Sequence, residues 1–386
     1  MSHILGDISP EQFLKEYWQK RPLLIRGAFS SALVTGEEAL ITADELAGYS
    51  LEEDIESRLI QCDGHDWQLE HGPIDETRFA ELGDENWTLL VQSLDYFHPP
   101  LCELIKACSF IPRWRLDDVM VSYATHGGGV GPHLDKYDVF LIQGEGQRRW
   151  RIGHKNQPTT PTSPHPQIAQ IEPFDAGMDV IVNQGDMLYI PPNTPHWGES
   201  IGDSLCYSVG FRAPNIGGII QKLMQLPHTE LDQLWSDENK LTLESNGGEL
   251  TSDMSQWAEQ QVKQLWTTND YLMAFGKEVT ELKYPELLEI PTEEELIDWI
   301  ALAQDQGIKA EPLARMTYIE KQGELWLFIN GEYQPMDSSL APTIKQLNRT
   351  FECSSEQLAS LDKQISNDFL AFAIGLGAIK PASFDI

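Results

Sequence analysis

The chain has 386 residues, more than a single hydrophobic core ordinarily serves, so two or three domains are expected. Hydrophobic residues make up 41% and charged residues 23%, which excludes disorder as the main state, and no stretch approaches the ~18 uninterrupted apolar residues of a bilayer-spanning helix. The net charge is −33; residues 215–386 hold 12 Lys+Arg against 28 Asp+Glu, a net of −16, which leaves −17 for residues 1–214, so the acidity is spread along the chain, where it repels nucleic acid and attracts basic partners.

The opening MSHILGDISPEQFLKEYW has no basic stretch followed by an apolar run, so no signal peptide and a cytoplasmic location are expected. The five cysteines, Cys62, Cys102, Cys108, Cys206 and Cys353, form no CxxC pair, which fits reduced thiols rather than a disulfide framework or a Cys-rich zinc site. Ser9 with Gln12 has the spacing of a capping box, Pro10 suits the first helical position, and Phe13, Leu14 and Tyr17 share one helical face. Pro22 stops that helix before a short strand, Leu23-Leu24-Ile25, and Thr42 with Glu45 opens a second helix.

From Arg58 onward the pattern becomes short β runs: Ser57–Gln61, Trp67–His71, Trp87–Ser93 and Asp118–Ala124, then Val139–Gln143, Gln147–Ile152, Asp179–Asn183, Asp186–Ile190 and Leu205–Phe211. Regularly spaced strands without intervening helices predict a sandwich or a barrel. After Pro214 the pattern turns helical, over Ile219–Leu226, His228–Trp235 and Ser255–Trp266, with a turn at Asn246-Gly247-Gly248. A third piece starts near Pro291. Thr292 and Glu295 cap a helix through Ala303, a hairpin follows with Glu324–Ile329 turning at Asn330-Gly331, and helices are expected at Ala341–Leu347 and Ser355–Leu361. Helices with a hairpin wing resemble a winged-helix module. The expected division is 1–214, 215–288 and 289–386.

The chemistry concentrates in GGGVGPHLDKYDVFLIQGEGQRRWRIG and GDMLYIPPNTPHWG. His133 and Asp135 are two apart, so on a strand they point to one face. His196, just past a tight turn, offers a third ligand. Two imidazoles and a carboxylate on one side of a metal make the facial triad of non-haem iron(II) oxygenases, which leaves positions for a bidentate 2-oxo acid and O₂. Arg148 follows the Gly144–Gly146 turn and is the candidate to pair its guanidinium with the distal carboxylate of 2-oxoglutarate. Ser122 on the preceding strand is a second candidate for that carboxylate, and Ser208 a weaker one. Tyr137 and Asp138 are candidates for the mouth of the site, holding a cationic side chain.

These segments, with LCYSVGFRAP and FLKEYWQKRPLLIRGAF, resemble the JmjC-type oxygenases of the cupin superfamily, and within them the ribosomal oxygenases, above all the bacterial ribosomal protein-arginine hydroxylases. Matched segments run from about residue 13 to 214. The resemblance implies an α+β fold: a double-stranded β-helix (cupin/JmjC) barrel with N-terminal helices, then a helical dimerisation segment and a winged-helix-like C-terminal domain. It implies Fe(II) on His133, Asp135 and His196, 2-oxoglutarate as co-substrate on Arg148 and Ser122, and O₂ as oxidant. The implied reaction is hydroxylation of the β-carbon of an arginine in large-subunit ribosomal protein L-sixteen, with oxidative decarboxylation of 2-oxoglutarate to succinate. The implied partners are a basic ribosomal protein and a second copy of the chain, with no nucleic acid and no membrane.

Plainer readings stand beside these. A His-x-Asp pair alone occurs by chance in many proteins. His126, His154 and His165 sit in loop-like contexts as ordinary surface histidines. The Gly127-Gly128-Gly129 run lacks the Lys-Ser/Thr of a phosphate loop and reads as backbone freedom near a barrel mouth. Trp235, Trp257 and Trp266 suit packing, and Glu293-Glu294-Glu295 a helix first turn. Competing functions are oxygenation of another side chain (histidine, asparagine or methyl-lysine), a non-catalytic metal-binding cupin, and a winged-helix regulator, which the charge disfavours.

Overall fold

The structure, a computed structural model, describes residues 4–30, 39–64, 66–226, 252–267, 269–321 and 323–384, without the side chains of 264–267. The helix expected over His228–Trp235, the turn at Asn246-Gly247-Gly248 and the Trp235 and Trp266 side chains lie outside the described residues. The chain forms two compact units, Met1–Ala213 and Pro214–Leu347 with Glu352–Phe384, residues Asn348–Phe351 grouping with the first.

In the first unit the strands are β1 (Leu23–Ile25), β2 (Ser57–Asp63), β3 (Asp66–His71), β4 (Trp87–Val91), β5 (Leu116–Ala124), β6 (Asp138–Gln143), β7 (Gln147–Ile152), β8 (Pro161–His165), β9 (Ile168–Ile171), β10 (Met178–Asn183), β11 (Met187–Ile190), β12 (His196–Ile201) and β13 (Ser204–Phe211). An eight-stranded sheet runs β1-β11-β6-β13-β5-β4-β2-β3, a three-stranded sheet runs β10-β7-β12, and β8 pairs with β9 as a hairpin. Every pairing among these named strands is antiparallel. All but β8, β9 and β12 fall within a residue or two of the expected runs. Trp87–Ser93 ends early because Ser93 adopts a left-handed φ of 53° and leads into a short 3₁₀ turn at Leu94–Tyr96.

Alternation along the strands places the core. Val139 and Leu141 of β6, Leu188 and Ile190 of β11 and Cys206 of β13 pack with Trp150 and Ile152 of β7 and Val182 of β10, so side chains of the two sheets interdigitate. The intervening residues of the large sheet face the other way and are buried as well. Phe140, Tyr189 and Phe211 meet Phe13 and Trp18 of the N-terminal segment at ring separations of 5.0–5.7 Å. That explains why β6 and β13 are buried at every position. The helix Pro10–Glu16 supplies this cover, and the Ser9 hydroxyl accepts from the Gln12 amide at its start. Thr42 and Glu45 form the full reciprocal box before Ala43–Tyr49.

The second unit combines helices with antiparallel strands. The helix Ile216–Gln225 packs on Asp270–Thr280, and Ser252–Thr267 forms a further helix. Thr292 and Glu295 box the start of Glu293–Gln306. The strands Met316–Lys321, Glu324–Ile329 and Glu332–Asp337 form one sheet. Its second turn has Asn330 at φ 50° and Gly331 at φ 83°, the paired positive values a tight hairpin needs and Asn-Gly supplies. The expected C-terminal helices appear at Ala341–Thr350 and Ser355–Ala359, and a further helix, Lys363–Gly375, was not expected. Among the described residues no helix is long and apolar enough to cross a membrane.

Candidate functional site

His133, Asp135 and His196 come together, though not by the local geometry expected. His133 and Asp135 lie on irregular chain just before β6 rather than on a regular strand. His133 makes a single antiparallel bridge to His196, the first residue of β12: each amide donates to the other's carbonyl, at 3.0 and 3.1 Å. The Asn193 amide donates to the Asp135 carbonyl at 2.7 Å, tying the Pro-rich turn before β12 to the same stretch. The spacing of two put both residues at one site because this bridge holds the stretch extended.

One ligand atom from each of the three residues falls within 4.8 Å of the others. His196 Nε2 is 3.4 Å and His133 Nε2 4.0 Å from the Asp135 carboxylate. His133 Nδ1 donates to the Gly131 carbonyl and His196 Nδ1 to the Thr194 carbonyl, each at 2.9 Å. Since a carbonyl only accepts, Nδ1 is the donor in both rings, and Nε2 is the atom that each ring turns toward Asp135. Burial, followed by the neighbouring His196, depresses His133 to about 4, so the ring is neutral near pH 7. Burial acts to raise the Asp135 carboxyl, but His196, His133 and the Tyr137 hydroxyl together hold it down to about 2. Two imidazoles and a carboxylate are the donor set of a borderline divalent cation.

The three residues line a cavity of 390 Å³ between the sheets, and Arg148 and Ser122 line it as well. Arg148 and Trp150 point inward from β7 while Arg149 points out and pairs with Asp179, as alternation required. Arg148 is only 7% exposed. Its guanidinium donates to the Ser204 hydroxyl at 2.8 Å, the Ser122 hydroxyl at 2.9 Å, the Ser122 carbonyl at 3.0 Å and the Ser204 carbonyl at 3.3 Å. All four acceptors are neutral oxygens. Burial lowers the Arg148 pKa, as it does for any cation withdrawn from water without a carboxylate to match it. Such a cation is a ready seat for an anion.

Ser208 and Tyr137 also line the cavity, and the Tyr137 hydroxyl donates to the Asp135 carboxylate. Asp138 does not, and the expectation for it is corrected. It is the next residue after Tyr137 and the first of β6, so it points to the opposite face, where it accepts from Tyr189, Gln19 and Arg115. The sequence does not mark Ser204 or Asp118, nor the cavity-lining Arg58, Gln92 and Asp117. Ser204 opens β13 with no motif around it, and Asp118 lines the cavity while accepting from Gln92 at 2.7 Å and Ser93 at 2.5 Å. His126 is exposed and accepts from the Gly202 amide. Gly128 and Gly129 lie where a Cβ would come within 2.2 Å of the Trp87 carbonyl and 2.4 Å of the Gly198 carbonyl, so the glycine run serves close backbone approach.

A family model described as a JmjC domain matches residues 103–219. The ribosomal protein uL16 3-hydroxylase of Escherichia coli (strain K12) is 45% identical over 208 residues, 54% of this chain and 54% of that protein; by that alignment the chain spans about half the length of the curated relative it matches. A crystal structure of E. coli YcfD superposes with a TM-score of 0.77 at 31% identity, over 97% of this chain and 98% of that one. Another, of YcfD as a ribosomal oxygenase in complex with cobalt and 2-oxoglutarate, gives 0.75 at 28% identity over 97% and 98%. With this cupin-like sheet pair and the His-Asp-His cluster inside it, the chain belongs to the JmjC-domain ribosomal oxygenase family.

Proposed function

We propose that the chain is an iron(II)- and 2-oxoglutarate-dependent hydroxylase of a ribosomal protein, acting on the β-carbon of an arginine in large-subunit protein L-sixteen. The observation that carries the reading is a single cavity holding three convergent ligand atoms and, beside them, a buried guanidinium whose acceptors are all neutral. His133 Nε2, the Asp135 carboxylate and His196 Nε2 would hold the metal. Arg148, with Ser122, would take the distal carboxylate of the co-substrate. Bound iron(II) supplies the redox chemistry that uses O₂ and a 2-oxo acid to place one oxygen on a C–H carbon, with succinate and CO₂ as the other products.

This chain's own residues do the rest. The Nδ1 bonds to Gly131 and Thr194 fix each ring with its Nε2 aimed at the metal position. Leu141, Trp150 and Cys206 line the cavity with apolar surface that keeps water away. Asp117, Asp118 and Gln92 line it too, which supports a cationic target side chain. The net charge of −33 supports a basic partner at long range.

The same reading extends to the rest of the chain: an oxygenase domain over 1–214, a helical dimerisation segment over 215–288 and a winged-helix-like domain over 289–386, in a cytoplasmic protein that does not bind nucleic acid. Ile216 and Met224, 63% and 57% exposed on the helix Ile216–Gln225, support self-association, and the −16 net charge over 215–386 argues against a nucleic-acid role. The test is to mix the protein anaerobically with iron(II) and 2-oxoglutarate, then admit O₂ and ribosomal proteins. A mass gain of one oxygen atom on an arginine of protein L-sixteen is expected. Succinate release without any such gain would sink the substrate assignment; no succinate at all would sink the enzyme.

A further inference from the structure

We propose that Gln170 is a positioning residue for the metal centre: it fixes, through the Val130–Pro132 backbone, the carbonyl that orients His133. The proposal rests on the metal reading above and adds to it a residue outside the ligand set.

The reasoning begins with the acceptor of His133 Nδ1, the Gly131 carbonyl at 2.9 Å. That carbonyl belongs to the Gly131–Pro132 peptide. Proline has no N–H, so this peptide unit has no donor of its own with which to lock its plane. Gly131 adds freedom, standing at φ +78° in the left-handed region. A carbonyl in so loose a segment needs restraint from outside, and β9 provides it on both sides. Gln170 Nε2 donates to the Val130 carbonyl at 2.7 Å, and the Ile171 amide donates to the Pro132 carbonyl at 2.9 Å.

The fit is close. Gln170 is 6% exposed, and a Cβ on Gly131 would lie 2.2 Å from its amide nitrogen and 3.0 Å from the Trp67 ring. The side chain therefore presses on the one residue whose carbonyl sets the imidazole. The opposite end of β9 is cavity wall, through Ile168 and Ala169 beside Gln167, and Ile168 packs on Ile60 and Leu90. The hairpin thus joins the wall of the cavity to the backbone on either side of the Gly131 carbonyl by two hydrogen bonds.

The test uses cobalt(II) alone, titrated into the full-length protein, with visible d–d absorption as the readout of ligand geometry. Gln170→Met keeps the length and loses the donor; Gln170→Glu keeps the shape and sets a carboxylate against the Val130 carbonyl. Both are expected to bind cobalt about 10-fold more weakly, in the range seen when outer-shell partners of metal ligands are removed, with d–d bands shifted from those of the parent. A residue that merely packs the hairpin would lower the thermal midpoint and leave bands and affinity unchanged, and that result overturns the proposal. Should one variant fail to fold, the other carries the same comparison; if neither folds, Gln170 is a structural residue and the proposal fails. A parent protein with no cobalt site would instead overturn the metal reading, a separately recognisable outcome.

Discussion

Replacing Arg148 by methionine tests the anion seat, because the structure predicts little effect on stability and a large loss of ligand binding. The side chain makes four hydrogen bonds, to two hydroxyls and two carbonyls. Each contributes on the order of 0.5–1.5 kcal/mol net. Against that stands the penalty of holding a guanidinium out of water with no carboxylate, several kcal/mol for an ion in a protein interior. The two nearly offset, and methionine fills similar space with a flexible apolar chain. Without ligand, the variant should therefore match the parent within about 2 kcal/mol. Binding of 2-oxoglutarate should suffer, because a charged hydrogen-bond pair at about 1.5–3 kcal/mol is roughly 10- to 150-fold in affinity. At a ligand concentration 100 times the parent's Kd the parent gains about 2.7 kcal/mol, and a variant weakened 100-fold gains only about 0.4. Thermal unfolding of the cobalt-loaded protein, with and without 2-oxoglutarate, reads both quantities. A variant that keeps the full ligand-induced shift would place the co-substrate elsewhere, and one that collapses without ligand would make Arg148 a structural residue.

Three further outcomes follow from other parts of the fold. Asp138→Ala removes the shared acceptor of Tyr189, Gln19 and Arg115 and strands a largely buried guanidinium, so urea unfolding should show a loss of about 3–5 kcal/mol, with cobalt affinity of the folded fraction unchanged. Gly198→Ala puts a methyl group 2.6 Å from the Trp150 ring, which stands 6.0 Å from the His196 ring; a cost of about 1–3 kcal/mol and an altered near-UV circular dichroism band are expected, and an unchanged band would mean the ring yields freely. Asp186 is a pH-dependent fastening of the turn between β10 and β11. Burial acts to raise its carboxyl, but the Asn183 and Gly27 amides and Arg26 bring it below the usual carboxylate range. A depressed folded-state pKa gives stability that is complete above the unfolded value of about 3.9 and is lost as the pH falls through the folded one, so Asp186→Asn should flatten the acid limb of a stability–pH curve below about pH 4.

What could be read in advance, and what could not, follows from how local each cause is. The strands from β2 to β7 and β10, β11 and β13 carry alternation and turn residues in their own sequence, and they appear where that pattern puts them. The β8–β9 hairpin carries neither. Pro161-Thr-Ser-Pro-His has two prolines and no apolar face, and its partner strand is held by Gly131, Val130 and Trp67 rather than by propensity. Arg148 was legible because one strand's alternation decides its direction. Ser204 and Asp118 were not, since Ser204 meets Arg148 from a strand 56 residues away and Asp118 lines the cavity from β5, relations that no short window contains. Asp138 was misread against a rule already in hand: neighbours on an extended chain face opposite ways, so Tyr137 and Asp138 do not both face the cavity.

The electrostatics work on two scales with opposite sign. Over the whole chain 60 acidic residues outnumber 27 basic ones, a field that favours cationic partners. Inside the sheet pair that field is replaced by what lies within a few ångströms, and there Arg148 meets only hydroxyls and carbonyls. An acidic chain could have neutralised this guanidinium cheaply with one Asp or Glu on β5 or β13; it places Ser122 and Ser204 there instead. Serine satisfies the donors without cancelling the charge, so the cation stays available to a small dianion. The metal centre follows the same logic in mirror image: Asp135 is the single carboxylate of the ligand set, beside the imidazoles of His133 and His196. Screening should separate the scales. Salt will weaken capture of a basic protein, whose charges meet in water, far more than it weakens 2-oxoglutarate at a buried guanidinium. Equal salt sensitivity of the two would mean that Arg148 is reached by solvent and that its burial does not shield it.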